Sequence, residues 1–165
     1  MLSEIKGQLD EYEIANITSE NFEQIFNVYD TNQDFFVLTQ GEKATIKSSI
    51  GDIEALPPNC AFDQKVYIGI WKNGEAVGVL DLIENYPKQS DFWIGLLLVH
   101  GNLHGSGLGG KIVNSVLNAA KQVGYKTAQL GVVDNNVKAI NFWQRHGFTT
   151  LRHNGDILVM EKSVI

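Results

Sequence analysis

The sequence contains a single cysteine, Cys60, among its 165 residues. An intrachain disulfide and a cysteine-based zinc cluster are therefore both excluded, and a reducing compartment is the natural expectation. Cys60 lies in the segment P-P-N-C-A-F, where no basic neighbour is present to activate its thiol. We expect a passive thiol rather than a nucleophile.

Long apolar runs and a surplus of positive charge are also missing. No stretch is long enough to span a membrane, and the N-terminal region, with Glu4 and Lys6, does not resemble a signal peptide. We therefore expect a cytoplasmic protein with no membrane partner. Acidic residues outnumber basic ones by 19 to 13 and no basic stripe is present, which argues against a nucleic-acid partner.

What the sequence does contain is typical of a single soluble domain covering residues 1–165. Hydrophobic residues make up 44% of the chain and charged residues 19%, and the length is sufficient to bury one core. No repeat, low-complexity tract or linker divides the chain.

Hydrophobic periodicity and turn residues predict a mixed α/β order, β-α-α-β-β-β-α-β-α-β-β. Strands are predicted at 12–17, 66–71, 75–85, 91–99, 127–133, 148–151 and 156–160. Helices are predicted from Phe22 onward, over 35–50 with an interruption at Gly41, over 107–123, and from one of the possible caps at 134–136 to His146.

Glycine is concentrated in one segment, residues 96–110, which reads L-L-L-V-H-G-N-L-H-G-S-G-L-G-G. An apolar strand there leads into a glycine loop and then into an amphipathic helix. Backbone N–H groups and the helix dipole at such a junction can bind an anion. The segment predicts a site for a phosphate-bearing cofactor, although an ordinary strand-to-helix turn would have a similar composition.

A dinucleotide or S-adenosylmethionine fold is one interpretation of these glycines. Gly105, Gly107 and Gly110 satisfy G-x-G-x-x-G, and Asp134 stands where a ribose-binding acid is expected. Two features count against this class. Residues 100–104 separate the strand from the first of these glycines, and only one helix and a hairpin follow Asp134.

Two blocks carry a more specific resemblance. Residues 99–109, V-H-G-N-L-H-G-S-G-L-G, resemble the acetyl-CoA loop of the GNAT-superfamily N-acetyltransferases, whose pattern is V-x-P-x-x-(Arg or Gln)-x-x-G-x-(Gly or Ala). Residues 136–148, N-x-x-A-x-x-F-W-x-R-x-G-F, resemble a second block of that family at the family's spacing. The resemblance covers most of the chain and is weakest before Val66.

The resemblance implies a GNAT-type fold: a mostly antiparallel sheet of about seven strands with a splayed central pair, flanked by about four helices. It implies that acetyl-CoA lies where the strand ending at Val99 parts from the strand at 130–133. The implied cofactor-binding residues supply backbone groups for the pantetheine arm, amides for the pyrophosphate, and contacts from the second block: Leu97, Leu98, Val99, His104, Gly105, Ser106, Gly107, Leu108, Gly109, Gly110, Asn136 and Trp143.

The activity implied is acetyl transfer from acetyl-CoA to a primary amine of a small molecule or peptide. The amine would attack the thioester directly, and a backbone N–H near Val99 would hold the oxyanion. An alternative is a non-catalytic domain that binds acyl-CoA as a sensor or interaction module. No metal is expected, and a homodimer remains open.

Three positions depart from the family pattern. His104 replaces the usual Arg or Gln, and Gly101 replaces the common proline, so the loop is expected to be less rigid. Trp143 stands where many members have a tyrosine that protonates the leaving thiolate. An indole N–H is not a usable acid, so the thiolate would take its proton from water. We interpret Trp143 as an aromatic wall beside the cofactor.

The general base and the acceptor pocket are less well defined. Strand alternation places Asp81 on the same face as Val77, Val79 and Ile83, and a carboxylate buried there needs a partner. Asp81 is therefore a weak candidate base, with a structural hydrogen bond as the other interpretation. Other candidate bases are Glu84, Asp91 and His100. Residues that could line the acceptor pocket are Tyr29, Asp34, Phe35, Glu84 and Tyr86, and the acidic charge balance favours a cationic acceptor.

Overall fold

In the computed structural model, which describes all residues 1–165, a seven-stranded sheet forms the frame. The strands are β1 (Glu13–Asn16), β2 (Lys65–Lys72), β3 (Glu75–Glu84), β4 (Asp91–Val99), β5 (Thr127–Val133), β6 (Thr149–Asn154) and β7 (Ile157–Ser163). Their spatial order is β1-β2-β3-β4-β5-β7-β6. All neighbours are antiparallel except β4 and β5, which are parallel. The predicted mixed, mostly antiparallel sheet is confirmed.

Six α-helices accompany the sheet: α1 (Leu2–Gln8), α2 (Phe22–Asp30), α3 (Gln33–Gln40), α4 (Ile46–Ser49), α5 (Leu108–Val123) and α6 (Val137–Arg145). About four were predicted. The predicted interruption at Gly41 is present, because Gly41 adopts a left-handed conformation (φ 81°) that ends α3. The unpredicted α1 packs against α5, and Ile5 and Leu9 are fully buried there.

The core consists of two apolar clusters. The larger cluster has 26 buried residues, including those of α1 and α5, and the smaller has 12, including those of α2. Strand β4 contributes to both, because successive side chains of a strand point to opposite faces. Leu98 is buried in the smaller cluster, and Leu97 packs against the larger one.

A bulge in β3 changes which of its side chains share a face of the sheet. The β2–β3 register shifts between Ile70 and Trp71, which leaves Val77 without a partner on β2. Val77 therefore belongs to the larger cluster, whereas Val79 belongs to the smaller one. The predicted common face for Val77, Val79 and Asp81 is wrong at Val77, because a bulge inserts one residue into the alternation.

Strands β4 and β5 separate along part of their length. They pair only from Asp91–Thr127 to Ile94–Leu130. Beyond that point β4 stays paired with β3 up to Val99, and β5 stays paired with β7 up to Val133. The predicted splayed central pair is confirmed, and α5 begins beside its open end. No helix combines the length and the apolar character needed to cross a membrane.

Candidate active site

The opening between β4 and β5 widens into a cleft of about 1170 Å³. One end of the cleft is bounded by the glycine loop and by α5 and α6, and the carboxylates of Asp52 and Asp81 lie away from that loop, near Gly95; α3 also lines the cleft. The splayed strands form its floor. The cleft therefore connects the predicted cofactor loop with the predicted acceptor region.

The first turn of α5 faces the cleft with free N–H groups. Its N-cap is Gly107, in a left-handed conformation (φ 89°), and the only side-chain contact to a first-turn N–H runs from Leu108 to the Ser106 hydroxyl at 3.4 Å. Gly105 is also left-handed (φ 78°), and a Cβ at either glycine would meet nothing within 4 Å. Because uncapped N–H groups and the helix dipole favour an anion, this junction fits a pyrophosphate.

The other loop residues have different roles. Gly109 and Gly110 allow α6 to approach α5, because a Cβ at these residues would lie 3.4 Å from Phe142 and 3.0 Å from His146. The Ser106 hydroxyl donates to the Leu103 carbonyl (2.6 Å), and Leu108 is buried in the core. The side chains of Ser106 and Leu108 do not line the cleft.

Strand β4 presents an unpaired backbone edge to the opening. The His100 N–H donates to the Val77 carbonyl at 2.9 Å, so this N–H faces β3. The His100 carbonyl instead accepts from the Leu103 N–H (2.8 Å). Since alternate residues of an antiparallel strand face the same neighbour, the groups of Leu98 also face β3, and those of Leu97 and Val99 face the opening. Of the three residues predicted to bind the pantetheine arm, Leu97 and Val99 are oriented for it.

His104 contacts the end of this strand. Its Nε2 lies 2.8 Å from the Val99 carbonyl oxygen. Because a carbonyl only accepts, Nε2 carries a hydrogen and donates it. This hydrogen bond therefore holds the glycine loop against the end of β4. Because the His104 ring is used in this way, the amides of α5 are the principal groups available to bind a phosphate.

Helix α6 forms one wall of the cleft. The Asn136 side chain caps the helix by accepting from the Ala139 N–H (3.1 Å), so the third of the three predicted caps is the one used. Asn136 is buried and lines the cleft. Trp143 is 8% exposed, lines the cleft, and makes edge contacts with Phe142 and Phe148.

The charges lining the cleft are segregated. At the α5–α6 end they are basic, from Lys138 and Arg145, with His146 beside them. Burial lowers the pKa of His146, and the charges of Arg145 and Lys162 lower it further, so that His146 is neutral near pH 7. The acidic side chains of the lining are Asp34, in the first turn of α3, and the neighbouring pair Asp52 and Asp81. This polarity suits an anionic ligand at one end and a cationic ligand at the other.

Asp81 forms a buried ion pair with Lys65. The Lys65 ammonium lies 3.0 Å from both carboxylate oxygens and also donates to the Ala55 carbonyl (2.8 Å). The Lys65 side chain is 1% exposed and that of Asp81 17%. Burial raises the pKa of Asp81 to about 6, although the Lys65 charge opposes this rise. At neutral pH Asp81 is therefore a carboxylate that gains a proton readily.

A glycine gives the Asp81 carboxylate room beside β4. The β3–β4 register shifts between Asp81 and Leu82, which leaves Gly95 as an extra residue of β4. A Cβ at Gly95 would lie 3.1 Å from Asp81 Oδ2. The carboxylate thus lies against the strand at the closed end of the opening.

The other candidate bases lie outside the cleft. Glu84 contacts the N-terminal ammonium (3.4 Å) and accepts from the Tyr125 hydroxyl (3.1 Å). Asp91 is buried and contacts Ser90. His100 accepts from the Asn102 N–H through Nδ1 (3.2 Å). Each of these three side chains therefore already has a local hydrogen-bonding or charged partner. Asp81 is the only one of the four candidate bases that lines the cleft.

Asp52, which the sequence pattern did not indicate, adds a second carboxylate to the acceptor end. The Tyr29 hydroxyl donates to Asp52 Oδ2 at 2.8 Å and also contacts the Tyr67 hydroxyl. Burial raises the pKa of Asp52, opposed by the hydrogen bond from Tyr29 and by the charge of Lys65. Since Lys65 is paired with Asp81, no basic side chain forms an ion pair with Asp52.

Of the five residues predicted to line the acceptor pocket, the structure places two at the cleft and three elsewhere. Asp34 and Phe35 line the cleft. Tyr29, Glu84 and Tyr86 do not, so their predicted placement is corrected. Tyr29 is fully buried beneath α3, where it stacks on Phe36, and the Tyr86 ring packs edge-on against Trp93.

Comparisons with known proteins agree with this geometry. Residues 19–148 match the model of the Acetyltransferase (GNAT) family. No curated protein matches the chain.

Several solved structures share the fold. An acetyltransferase from Thermus thermophilus is 24% identical, with a TM-score of 0.79 over 92% of this chain and 96% of that one. The PaiA N-acetyltransferase from Thermoplasma acidophilum, in complex with coenzyme A, is 16% identical, with a TM-score of 0.71 over 92% and 98%. The ribosomal-protein-S18-alanine N-acetyltransferase from Escherichia coli is 12% identical, with a TM-score of 0.65 over 93% and 94%.

Proposed function

Since the chain belongs to the Acetyltransferase (GNAT) family, we propose that it is an acetyl-CoA-dependent N-acetyltransferase acting on a primary amine of a small molecule or peptide. One observation carries the proposal: the free edge of β4 beyond Ile94 leads directly to the uncapped first turn of α5. A site for an anion next to a free strand edge suits a ligand that carries both a pyrophosphate and an extended arm. The fold relative solved with coenzyme A supports this choice of ligand.

In this proposal, the free N–H groups of the glycines between Gly105 and Gly110 hold the pyrophosphate, and Lys138 and Arg145 add positive charge. The pantetheine arm lies along Leu97 and Val99, whose backbone groups face the opening. An arm that starts at the loop and follows β4 backward ends at Gly95, beside Asp81. Trp143 forms the wall on the other side.

The proposed chemistry needs few protein groups. The amine nitrogen attacks the thioester carbon, the carbon–sulfur bond breaks, and the oxyanion is held by an N–H of Leu97 or Val99. Asp81 accepts the proton that the amine loses, directly or through water. The thiolate leaves as a stable anion and takes a proton from water, because Trp143 has no acidic proton to give.

The acceptor end of the cleft favours a cationic amine. Asp52 and Asp81 place two carboxyl groups there, and the one basic side chain beside them, Lys65, is paired with Asp81. A carboxylate without a basic partner attracts the ammonium form of an amine. Phe35, Phe36 and Leu96 add apolar surface for the chain that carries this amine.

The proposal is tested by isothermal titration calorimetry of the protein with acetyl-CoA and with CoA. We expect saturable binding of one cofactor per chain. An absence of heat at high micromolar cofactor would overturn the proposal. If binding occurs, thiol detection of released CoA across a panel of amines tests catalysis: multiple turnovers support the enzyme, whereas binding without turnover supports the acyl-CoA sensor that the missing tyrosine also suggests.

Asp81→Asn tests the proposed base. We expect CoA affinity within about twofold of wild type and turnover lower by roughly 100-fold or more, a typical contribution of general base catalysis. A base acts when deprotonated and the pKa of Asp81 is about 6, so wild-type kcat should rise as the pH increases through that value. The variant should lack this rise. Turnover equal to wild type, with an unchanged pH profile, would exclude Asp81 as the base.

A further inference from the structure

We propose that Thr31 and Asn32, in the turn between α2 and α3, are positioning residues that hold the edge of β4 on which the cofactor arm lies. We call these two residues the clasp. This inference rests on the proposed function, because it concerns how the CoA site is kept in shape. Sequence patterns did not indicate either residue, since the two lie 67 or more positions before the strand end that they contact.

Asn32 fixes the last carbonyl of the strand. Its Nδ2 donates to the Val28 carbonyl at 2.8 Å and to the Val99 carbonyl at 3.0 Å, which uses both amide hydrogens. The Val99 carbonyl also accepts from His104, so both of its lone pairs are occupied. The peptide orientation at Val99 is therefore held from two sides, and its N–H is left as the group that faces the opening.

Thr31 fixes the first residue of the loop. Its hydroxyl donates to the Val28 carbonyl (2.9 Å) and accepts from the Gly101 N–H (2.9 Å). A Cβ at Gly101 would lie 3.0 Å from Thr31 Cβ and 3.1 Å from the Thr31 carbonyl oxygen. Proline at this position would lose the N–H and meet the turn. The clasp thus explains Gly101 in place of the family's usual proline, because the contact with Thr31 restrains the loop instead.

The clasp acts on the part of β4 that has the least support. Beyond Ile94 this strand is paired with β3 on one side and with no strand on the β5 side. A strand end with one free edge is ordered less firmly than a strand within a sheet. Holding Val99 and Gly101 in place before CoA arrives lowers the ordering cost of binding, which appears as higher affinity.

The experiment compares Asn32→Ala and Thr31→Val with two controls. Thr31→Ser keeps the hydroxyl, and Asn114→Ala removes an exposed asparagine from α5 at a site that does not line the cleft. For each protein, calorimetry gives the Kd of CoA, and thermal unfolding without ligand gives the Tm. A purely structural role would change the Tm and leave the Kd unchanged.

We expect Asn32→Ala and Thr31→Val each to weaken CoA binding about fivefold, the effect of one net hydrogen bond. Thr31→Ser and Asn114→Ala should bind CoA as wild type does. A Kd within twofold of wild type for both test variants, whatever their Tm, would overturn the inference, and so would equal losses in Thr31→Val and Thr31→Ser. No binding by the wild type would overturn the proposed function, and the clasp's role with it.

Discussion

Replacing Gly107 with valine should remove CoA binding while leaving the protein folded. Gly107 has a φ of 89°, which a β-branched residue adopts at a cost of about 1–2 kcal/mol. The valine side chain would lie at the N-terminus of α5, where we propose that the amides bind pyrophosphate. We expect a Kd at least about 100-fold weaker, equivalent to roughly 2.8 kcal/mol, measured by calorimetry.

Gly124→Val is the matched control for this change. Gly124 is also left-handed (φ 100°), it also has open space around its Cβ position, and it ends the same helix. The backbone strain should therefore be similar, but the site lies at the other end of α5. We expect both variants to lose similar stability and only Gly107→Val to lose CoA. Wild-type affinity in Gly107→Val would contradict the assignment of the anion site.

Lys65→Met should give the largest loss of stability. The Lys65 ammonium is the charged partner of the largely buried Asp81 carboxylate, and its removal leaves that charge uncompensated. Loss of one partner of a buried ion pair typically costs about 3–5 kcal/mol, measured as the free energy of unfolding in urea. The variant also lacks the charge that lowers the pKa of Asp81, so its stability should recover as the pH falls and this carboxyl is protonated.

Two comparisons isolate the ion pair. In the double variant Lys65→Met/Asp81→Asn, both members of the ion pair are removed, and most of the loss should be recovered. Lys72→Met removes an exposed lysine that lies 3.7 Å from Glu11, with side chains 46% and 44% exposed, and should cost less than about 1 kcal/mol. A loss in Lys65→Met no greater than that in Lys72→Met would contradict the description of this pair.

The parts of the fold that could be predicted depend on local signals. Gly41 and Gly124 end helices because each adopts the left-handed conformation that glycine favours, and Asn73-Gly74 marks the β2–β3 turn. The glycine loop and the apolar face of α5 likewise lie within one continuous segment. These signals were enough to predict the element order from β1 onward, and they are the basis of the anion site proposed at Gly107.

The parts that could not be predicted depend on contacts between distant segments. The Asn73-Gly74 turn sets one register for β2 and β3, but the bulge at Val77 shifts it, so that Asp81 lies opposite Tyr67. Asp52 lies in a short 3₁₀ turn (Ile50–Ile53), where no periodic pattern exists, and only the fold brings it to the Tyr29 hydroxyl. Tyr29 was predicted to line the acceptor pocket, but its ring is packed behind the pocket wall.

Helix α1 was missed for a related reason. It has seven residues, includes Gly7, and contains only one buried residue, Ile5. A helix of this length has little stability alone, and its packing against α5 supplies the rest. The clasp could not be predicted for the same reason. The role of Asn32 depends on its contact with the Val99 carbonyl, which only the folded structure brings beside it.

The crystal structure of the protein bound to CoA tests the central claim most directly. We expect pyrophosphate oxygens within hydrogen-bond distance of the N–H groups between Gly105 and Gly110, and a pantetheine arm along Leu97 and Val99 that ends near Gly95. Density for CoA at any other surface, or β4 and β5 closed against each other beyond Ile94 with the arm outside, would contradict it.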